Sequence, residues 1–369
     1  MKGLTRKRFS VVEVIGMMAA AVMCVAGVAD AVTVPHTFVN GTVADAAAVN
    51  TNFAALVSAV NDLESRLGVL EYQLQGVQRV GEELFFIGVN VHIQNGTGQT
   101  ESSNGLGNLI VGYNEVRGGG EDDRTGSHNI VVGRQNNYSS FGGLVSGQEG
   151  TISGNYACVS GGIGNTASGD YSSVSGGDGN TASWHSSSVS GGGANKASGS
   201  YSSVSGGNWN TASGRASSVG GGYYNTASGD LSSVSGGGGP SPVDGNEAYA
   251  DNSAILGGKG NFAGDASDTT HTIGTSSTIS GGSQNKTFGA SAHVCGGVQN
   301  EAGGGDSSVL GGRKNTAGGF RASVSGGNEN QADADYSSVL GGQSNTTTVG
   351  HSSNVGDQNR VYVDDGLVH

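Results

Sequence analysis

Valine returns every 15 residues at Val159, Val174, Val189, Val204, Val219 and Val234, and the rhythm resumes through Ile279, Val294, Val309, Val324 and Val339. With Val as position one, the consensus is V-S-G-G-x-x-N-T-A-S-G-x-Y-S-S. This period is too short for a helix pair and too long for one strand. It predicts a solenoid coil of two short strands and two turns. In S-S-V-S-G the Val faces one side and the Ser residues the other, and in N-T-A-S-G the Ala faces in while Thr and Ser face out. Gly161, Gly162 and Gly169 mark the turns. Asn165, Asn180, Asn195, Asn210 and Asn225 share position seven and are expected to form a stacked corner in turn geometry, because Asn tolerates left-handed backbone. Val131 and Val145 precede Val159 at 14-residue steps, and Asn108-Leu109-Ile110-Val111-Gly112 reads as the first coil.

Composition excludes the other repetitive classes. Gly supplies 70 of 369 residues without the strict three-residue period of collagen, and the 3 Pro and 13% charged residues are too few for a disordered tail.

Two interruptions are expected to leave the coils as insertions, near residues 238–252 and 262–276. Six residues beyond the period separate Val234 from Ile255, and nine beyond it separate Ile255 from Ile279. Long loops on a solenoid often carry its binding face.

Residues 1–31 read as a secretory signal: the basic start Lys2, Arg6, Lys7 and Arg8, an apolar run from Val14 to Val28, then the small residues of Ala29-Asp30-Ala31. A type IV prepilin start would need Gly where Arg8 stands, and Glu13 shortens the apolar run below an anchor helix. Removing the segment moves the formal charge from −13 to about −15. An exported chain without membrane insertion follows, and nucleic acid is excluded as a partner for so acidic a protein. Cys158 and Cys295 occupy different repeat positions many coils apart and read as unpaired.

Residues 32–80 carry a second pattern. Thr42 and Asp45 read as a helix start. Val49, Phe53, Leu56, Val60, Leu63, Leu67, Leu70, Leu74 and Val77 then follow at alternating spacings of 4 and 3. Polar neighbours such as Asn50, Asn61, Glu64 and Gln73 leave a single narrow stripe, the heptad seam of a coiled coil. Residues 81–106 read as connecting strands and 357–369 as a C-terminal tail.

The coil itself also asks for company. One buried Val and one Ala return about 3 kcal/mol, far below the entropy of ordering their coil. Stacked coils gain main-chain ladders worth about 1 kcal/mol per bond. The core stays thin even so, which predicts several chains packing together.

The V-S-G-G…N-T-A-S-G phrase resembles the head repeats of trimeric autotransporter adhesins, the YadA-like head, over Gly107 to Gly356. The resemblance implies a left-handed parallel β-roll, a homotrimer and adhesion to a host or matrix protein or a saccharide at a bacterial surface. Two features depart from the family. The closing RVYVDDGLVH does not read as a four-stranded membrane anchor, and the heptads precede the repeats. The expectation is therefore a secreted or surface-held head that does not export itself.

No catalytic, metal or cofactor site is expected. The eight His residues are scattered, no Cys pair is close, and the acidic turn at Asp122-Asp123 lacks the repetition of calcium-binding repeats. Positions five and six vary from coil to coil and are expected outside. Trp209 and Tyr224 share position six in consecutive coils with Tyr223 beside them, and this aromatic group is the candidate ligand surface. Two other readings compete. A phage-tail-fibre-like protein would share the architecture, and the ladder Thr166, Thr181, Thr211, Thr226 would suit ice, although Lys196 interrupts it.

Overall fold

The computed structural model describes residues 33–38, 43, 45–119 and 122–356, with the backbone of 361–363. The expected signal, residues 1–31, and Thr42 lie outside the described residues. The chain forms two compact units, residues 1–92 and 93–369.

In the first unit, helix α1 (Ala46–Gln73) is capped by Asp45, whose carboxylate accepts from Ala47 N at 3.2 Å. This satisfies one of the helix's orphan donors. No residue of α1 is buried. Phe53, Leu56, Val60, Leu63, Leu67 and Leu70 therefore form an exposed stripe, and Val49 is half-buried. His36 folds back onto the helix: its N–H donates to Asn52 Oδ1 at 2.9 Å and its carbonyl accepts from Asn52 Nδ2 at 2.7 Å.

The heptad reading overruns this helix at its end. Leu74 is the C-cap, and Val77 opens strand β1 (Val77–Val80), which pairs antiparallel with β2 (Glu83–Phe86). Gly76, at φ +91°, turns the chain out of the helix, and a Cβ there would lie 2.8 Å from the Ile87 carbonyl oxygen. The connecting strands thus begin at Val77, and β2 is the strand that falls within 81–106.

The second unit is a mainly β parallel solenoid of about 15 turns. Sheet one starts at Leu109–Val111 and runs through Ile130–Arg134, Leu144–Gln148 and a series of two-residue strands to Ser338–Val339. Its register places Val145 beside Val159, Val159 beside Val174, and so on. Sheet two has 14 strands, from Asn137–Tyr138 to Thr346–Thr347, and joins the Ala column: Ala167, Ala182, Ala197, Ala212 and Ala227. A third ladder of single bridges joins position five, as in Ile163 to Asp178 to Gly193. At the far end Ser352–Asn354 pairs antiparallel with Val361–Val363, so the tail lays a strand along the last rung and covers a sheet edge.

The interior follows the alternation of the repeat. Val159, Val174 and Val189 from one sheet and Ala167, Ala182 and Ala197 from the other are buried, as are the Asn of position seven and the Ser of position fourteen. The Asn corner differs from the sequence expectation. These Asn residues are not left-handed. Positive φ falls instead at positions four, six and thirteen, as in Gly162 (85°), Gly164 (64°) and Tyr171 (58°). The direction of the N–H explains the shift. Thr181 N donates forward to Asn195 O at 2.8 Å, whereas Gly179 N and Ser186 N donate backward to Ile163 O and Asp170 O, each at 2.9 Å. Reversed backbone at six and thirteen lets those amides pair with the preceding coil, which leaves fewer buried donors unmet. The Asn side chains instead bind carbonyls of two turns. Asn180 Nδ2 donates to Gly176 O and Gly192 O, each at 2.9 Å.

Both insertions leave at corners and return in register. Residues 239–245 replace a single position-six residue, and 265–274 replace a single position-eleven residue, so the ladder passes from Ala227 to Ala248 to Ala263 to Thr287 unbroken. Each insertion is narrower than the sequence interval suggested, because the flanking residues already belong to paired strands.

Candidate binding surface

The variable positions lie outside, and two corner columns gather the aromatic side chains. Trp209 and Tyr224 stack in the position-six column, ring centroids 6.0 Å apart and planes 10° from parallel. Trp209 is 57% exposed and Tyr223, on the position-five bridge, 48%. The structure thus brings the three expected residues together on one corner.

Folding alone gives little reason for rings at this corner. Trp209 and Tyr224 sit at φ 59° and 55°, where the adjoining coil uses Ala194 and the two coils before it use Gly164 and Gly179. Left-handed backbone costs a side chain about 1–2 kcal/mol, and an aromatic pair returns about 0.5–1.5 kcal/mol. The two nearly cancel.

A longer aromatic row escaped the sequence reading. Phe141, Tyr156, Tyr171, His185 and Tyr201 form four consecutive ring contacts with centroids 5.3–5.5 Å apart, and Tyr156 and Tyr171 lie nearly parallel at 14°. The Tyr at position thirteen of the consensus was the available signal. Its meaning was hidden because His185 reaches the row from position twelve. Trp184, which replaces the Gly of position eleven, is 60% exposed. A shorter row joins Phe320, Tyr336 and His351, with the Arg321 guanidinium 4.9 Å from the Phe320 ring centre.

The acids of this edge also serve the stack. Asp170, Asp230 and Asp335 each accept, through Oδ1, the backbone N–H of the preceding coil's Asn155, Arg215 and Phe320 at 2.8–2.9 Å.

The two sheets differ in outer chemistry. From Leu109 and Val111 to Ser353 and Val355, the two outward rows flanking the Val column of sheet one contain no Asp, Glu, Lys or Arg, and the exposed cation of that sheet, Arg134, stands outside them at the end of its strand. The outward rows of sheet two carry Lys196, Glu247, Lys286, Glu301 and Asp333. The Thr ladder stands in register on sheet two, but Lys196 divides it and Glu247 and Phe262 follow Thr226.

Asp122 and Asp123 hold their own turn. Asp122 accepts from Arg117 N at 3.1 Å and pairs with Arg124 at 3.5 Å, while Asp123 accepts from Thr125 N and Oγ1. Among the described residues, no three His, Cys, Asp or Glu side chains converge as metal ligands would, and no helix is long and apolar enough to cross a membrane. Cys158 and Cys295 are free thiols.

No protein-family model matches this chain, and no curated protein sequence matches it.

Proposed function

We propose that this protein is an exported, non-enzymatic adhesin-like β-roll that assembles as a homotrimer at a bacterial surface and binds through its outer corners. The carrying observation is the apolar stripe of α1, from Phe53 to Leu70, which no described residue of its own unit buries. A stripe this narrow is buried by a second copy of the same helix rather than by a broad globular face. The two outward rows of sheet one that flank the Val column, free of Asp, Glu, Lys and Arg, support the same assembly, since such rows pack together without desolvating an ion. Left-handed winding of the coils belongs to this reading through the YadA-like resemblance. With sheet one turned inward, the Trp209–Tyr224 corner remains available to a host or matrix protein or a saccharide.

Light scattering on the chain from residue 32 onward tests the assembly. Three times the chain mass is the expected result, and a folded monomer at micromolar concentration would sink the proposal. Binding is then measured on the trimer with Trp209→Gly, the residue type that two earlier coils carry at that position as Gly164 and Gly179. Loss of capture on a matrix surface, with unchanged mass and thermal stability, places adhesion at this corner.

A further inference from the structure

The insertion at residues 239–245 turns part of the outer surface into a concavity. Its short 3-10 turn, Pro242–Asp244, is pinned in two ways: Gly260 N donates to Asp244 O at 2.9 Å, and Lys259 Nζ lies 3.0 Å from Asp244 Oδ1. The Asp244 side chain is only 15% exposed, so this ion pair is partly shielded from solvent. Val243 is thereby held as an end wall. Beyond it opens a cavity of about 520 Å³, with the position-six column on one side and the position-eight column on the other. The first side is Gln284, Gln299 and Lys314, and the second is Phe262, Lys286 and Glu301. The lining spans four consecutive rungs, so three strand spacings make the groove about 14 Å long, enough for two to three sugar rings.

The lining has a definite chemical character. Phe262 lies parallel to Tyr249, with centroids 6.4 Å apart and planes at 14°, so its ring is held in place as it enters the cavity wall. Gln299 Nε2 donates to Gln284 Oε1 at 3.0 Å, which fixes two amides side by side with donor and acceptor capacity remaining. Lys314 is occupied by Glu329 at 3.3 Å. Lys286 and Glu301 are neighbours in register yet form no ion pair within 4.0 Å with each other or with another described residue. The site therefore offers one free ammonium, one free carboxylate, two amides and an aromatic ring, with its formal charges in balance.

This combination excludes some ligands. A phosphate or nucleotide would meet a carboxylate with a single unengaged cation. A peptide adding as a strand would need an open sheet edge, and the main chain of these rungs is already paired on both sides. A pyranoside fits: its hydroxyls both donate and accept, and its C–H face packs on an aromatic ring.

We infer that the groove between Phe262 and Gln299, closed by the Val243 loop, is a binding site for a neutral glycan of about two to three sugar units. This deepens the adhesive reading by giving it a ligand class and a second site, separate from Trp209. It rests on that reading only for its biological use.

Saturation-transfer NMR and calorimetry on the chain from residue 32 onward, with lactose, cellobiose, maltose and N,N′-diacetylchitobiose as neutral probes and sialyllactose as the acidic one, test it. Phe262→Thr, Lys286→Thr and Glu301→Thr each restore the repeat's own residue, so the rung is kept. At least one neutral disaccharide is expected to bind, and Phe262→Thr to weaken it by about tenfold or more, as removal of an aromatic anchor does. Glu301→Thr is expected to weaken it less. No binding by any neutral probe, preference for sialyllactose, or binding indifferent to all three substitutions overturns the inference. Loss on Trp209→Gly with Phe262→Thr unaffected also overturns it, while leaving the adhesive corner standing. Light scattering on the same samples reports the trimer separately.

Discussion

Asn300 Oδ1 accepts the backbone N–H of Asn315, one coil further on, at 3.0 Å. The same side chain donates through Nδ2 to Gly296 O at 2.8 Å and Gly312 O at 3.1 Å. One buried amide thus ties its own coil to the next, and the pattern repeats from Asn165 to Asn345.

Asn300→Ala should be among the most damaging single changes in the solenoid. It leaves the Asn315 N–H and the Gly296 carbonyl without a partner in a fully buried corner, while Gly312 O keeps the Val298 N–H, at a cost of about 1–3 kcal/mol for each group left unmet. Urea unfolding should show a loss of at least about 2 kcal/mol. Ser325→Ala, on an exposed position two, should stay within about 0.5 kcal/mol of the parent. Equal effects at the two sites would refute the role given to the Asn corner.

Adjacent glycines should behave oppositely. A Cβ on Gly206 meets nothing within 4 Å, whereas on Gly207, at φ +79°, it would collide with Gly222 O and lie 2.6 Å from Asn210 Nδ2. Gly206→Ala is expected to be neutral or to stabilise by about 0.5 kcal/mol through the unfolded chain. Gly207→Ala should destabilise by about 2 kcal/mol or more, because contact and backbone strain add. Thermal melts of the pair decide the matter.

Ser217→Ala should stabilise. Its hydroxyl is buried and finds no partner among the described residues, and coils elsewhere place Ala157, Ala292 and Ala322 at the same position fourteen. Removing an unmet hydroxyl of this kind gains about 1 kcal/mol. A lower melting temperature for the variant would show that the hydroxyl is satisfied in solution.

The second insertion should loosen in acid. Asp268 accepts from the Thr270 hydroxyl and from the amides of Ile273, Thr270 and Thr272, and these bonds hold its carboxyl well below the ordinary 3.8. The bonds from Ser267 shift Asp265 the same way. A depressed pKa in the fold means that the loop's carboxylates stabilise it fully above the ordinary value and lose that contribution as pH falls through the folded one. Hydrogen exchange across 265–274 should therefore be slow at about pH 5 and faster near pH 2, after correction for intrinsic rates. Asp268→Asn should flatten the dependence, and an unchanged profile in that variant would exclude Asp268 as its source.

Leu63→Glu with Leu70→Glu should dissociate the proposed trimer while leaving the β-solenoid folded. Both side chains stand about half exposed on α1. Two buried carboxylates per helix would each need desolvation against like charges from the other copies. Sedimentation should report the monomer mass with an unchanged β-rich circular dichroism spectrum. An intact trimer would move the interface away from the helix.

Much of the architecture was legible because a strand has a period of two and a coil must close on itself. The spacing from Val159 to Val174, and the Ala eight residues after each Val, identified the inward columns without a coordinate. The Trp209–Tyr224 contact was legible for the same reason, since equal positions in stacked coils become neighbours. Contacts between unequal positions were not, and Tyr171 with His185 is the clearest case.

By itself the sequence determined the period, the two faces of each short strand and the helical stripe, all of which depend on local alternation. Only the tertiary structure decided which residues reverse their backbone. Position six turns left-handed and the Asn beside it does not, because each amide must choose between the coil before it and the coil after it. The structure likewise decided that α1 stops at Gln73, and that residues 239–245 leave at a corner and wall off a groove. Those outcomes depend on hydrogen bonds to residues in other turns of the chain, and no local pattern records where such partners will stand.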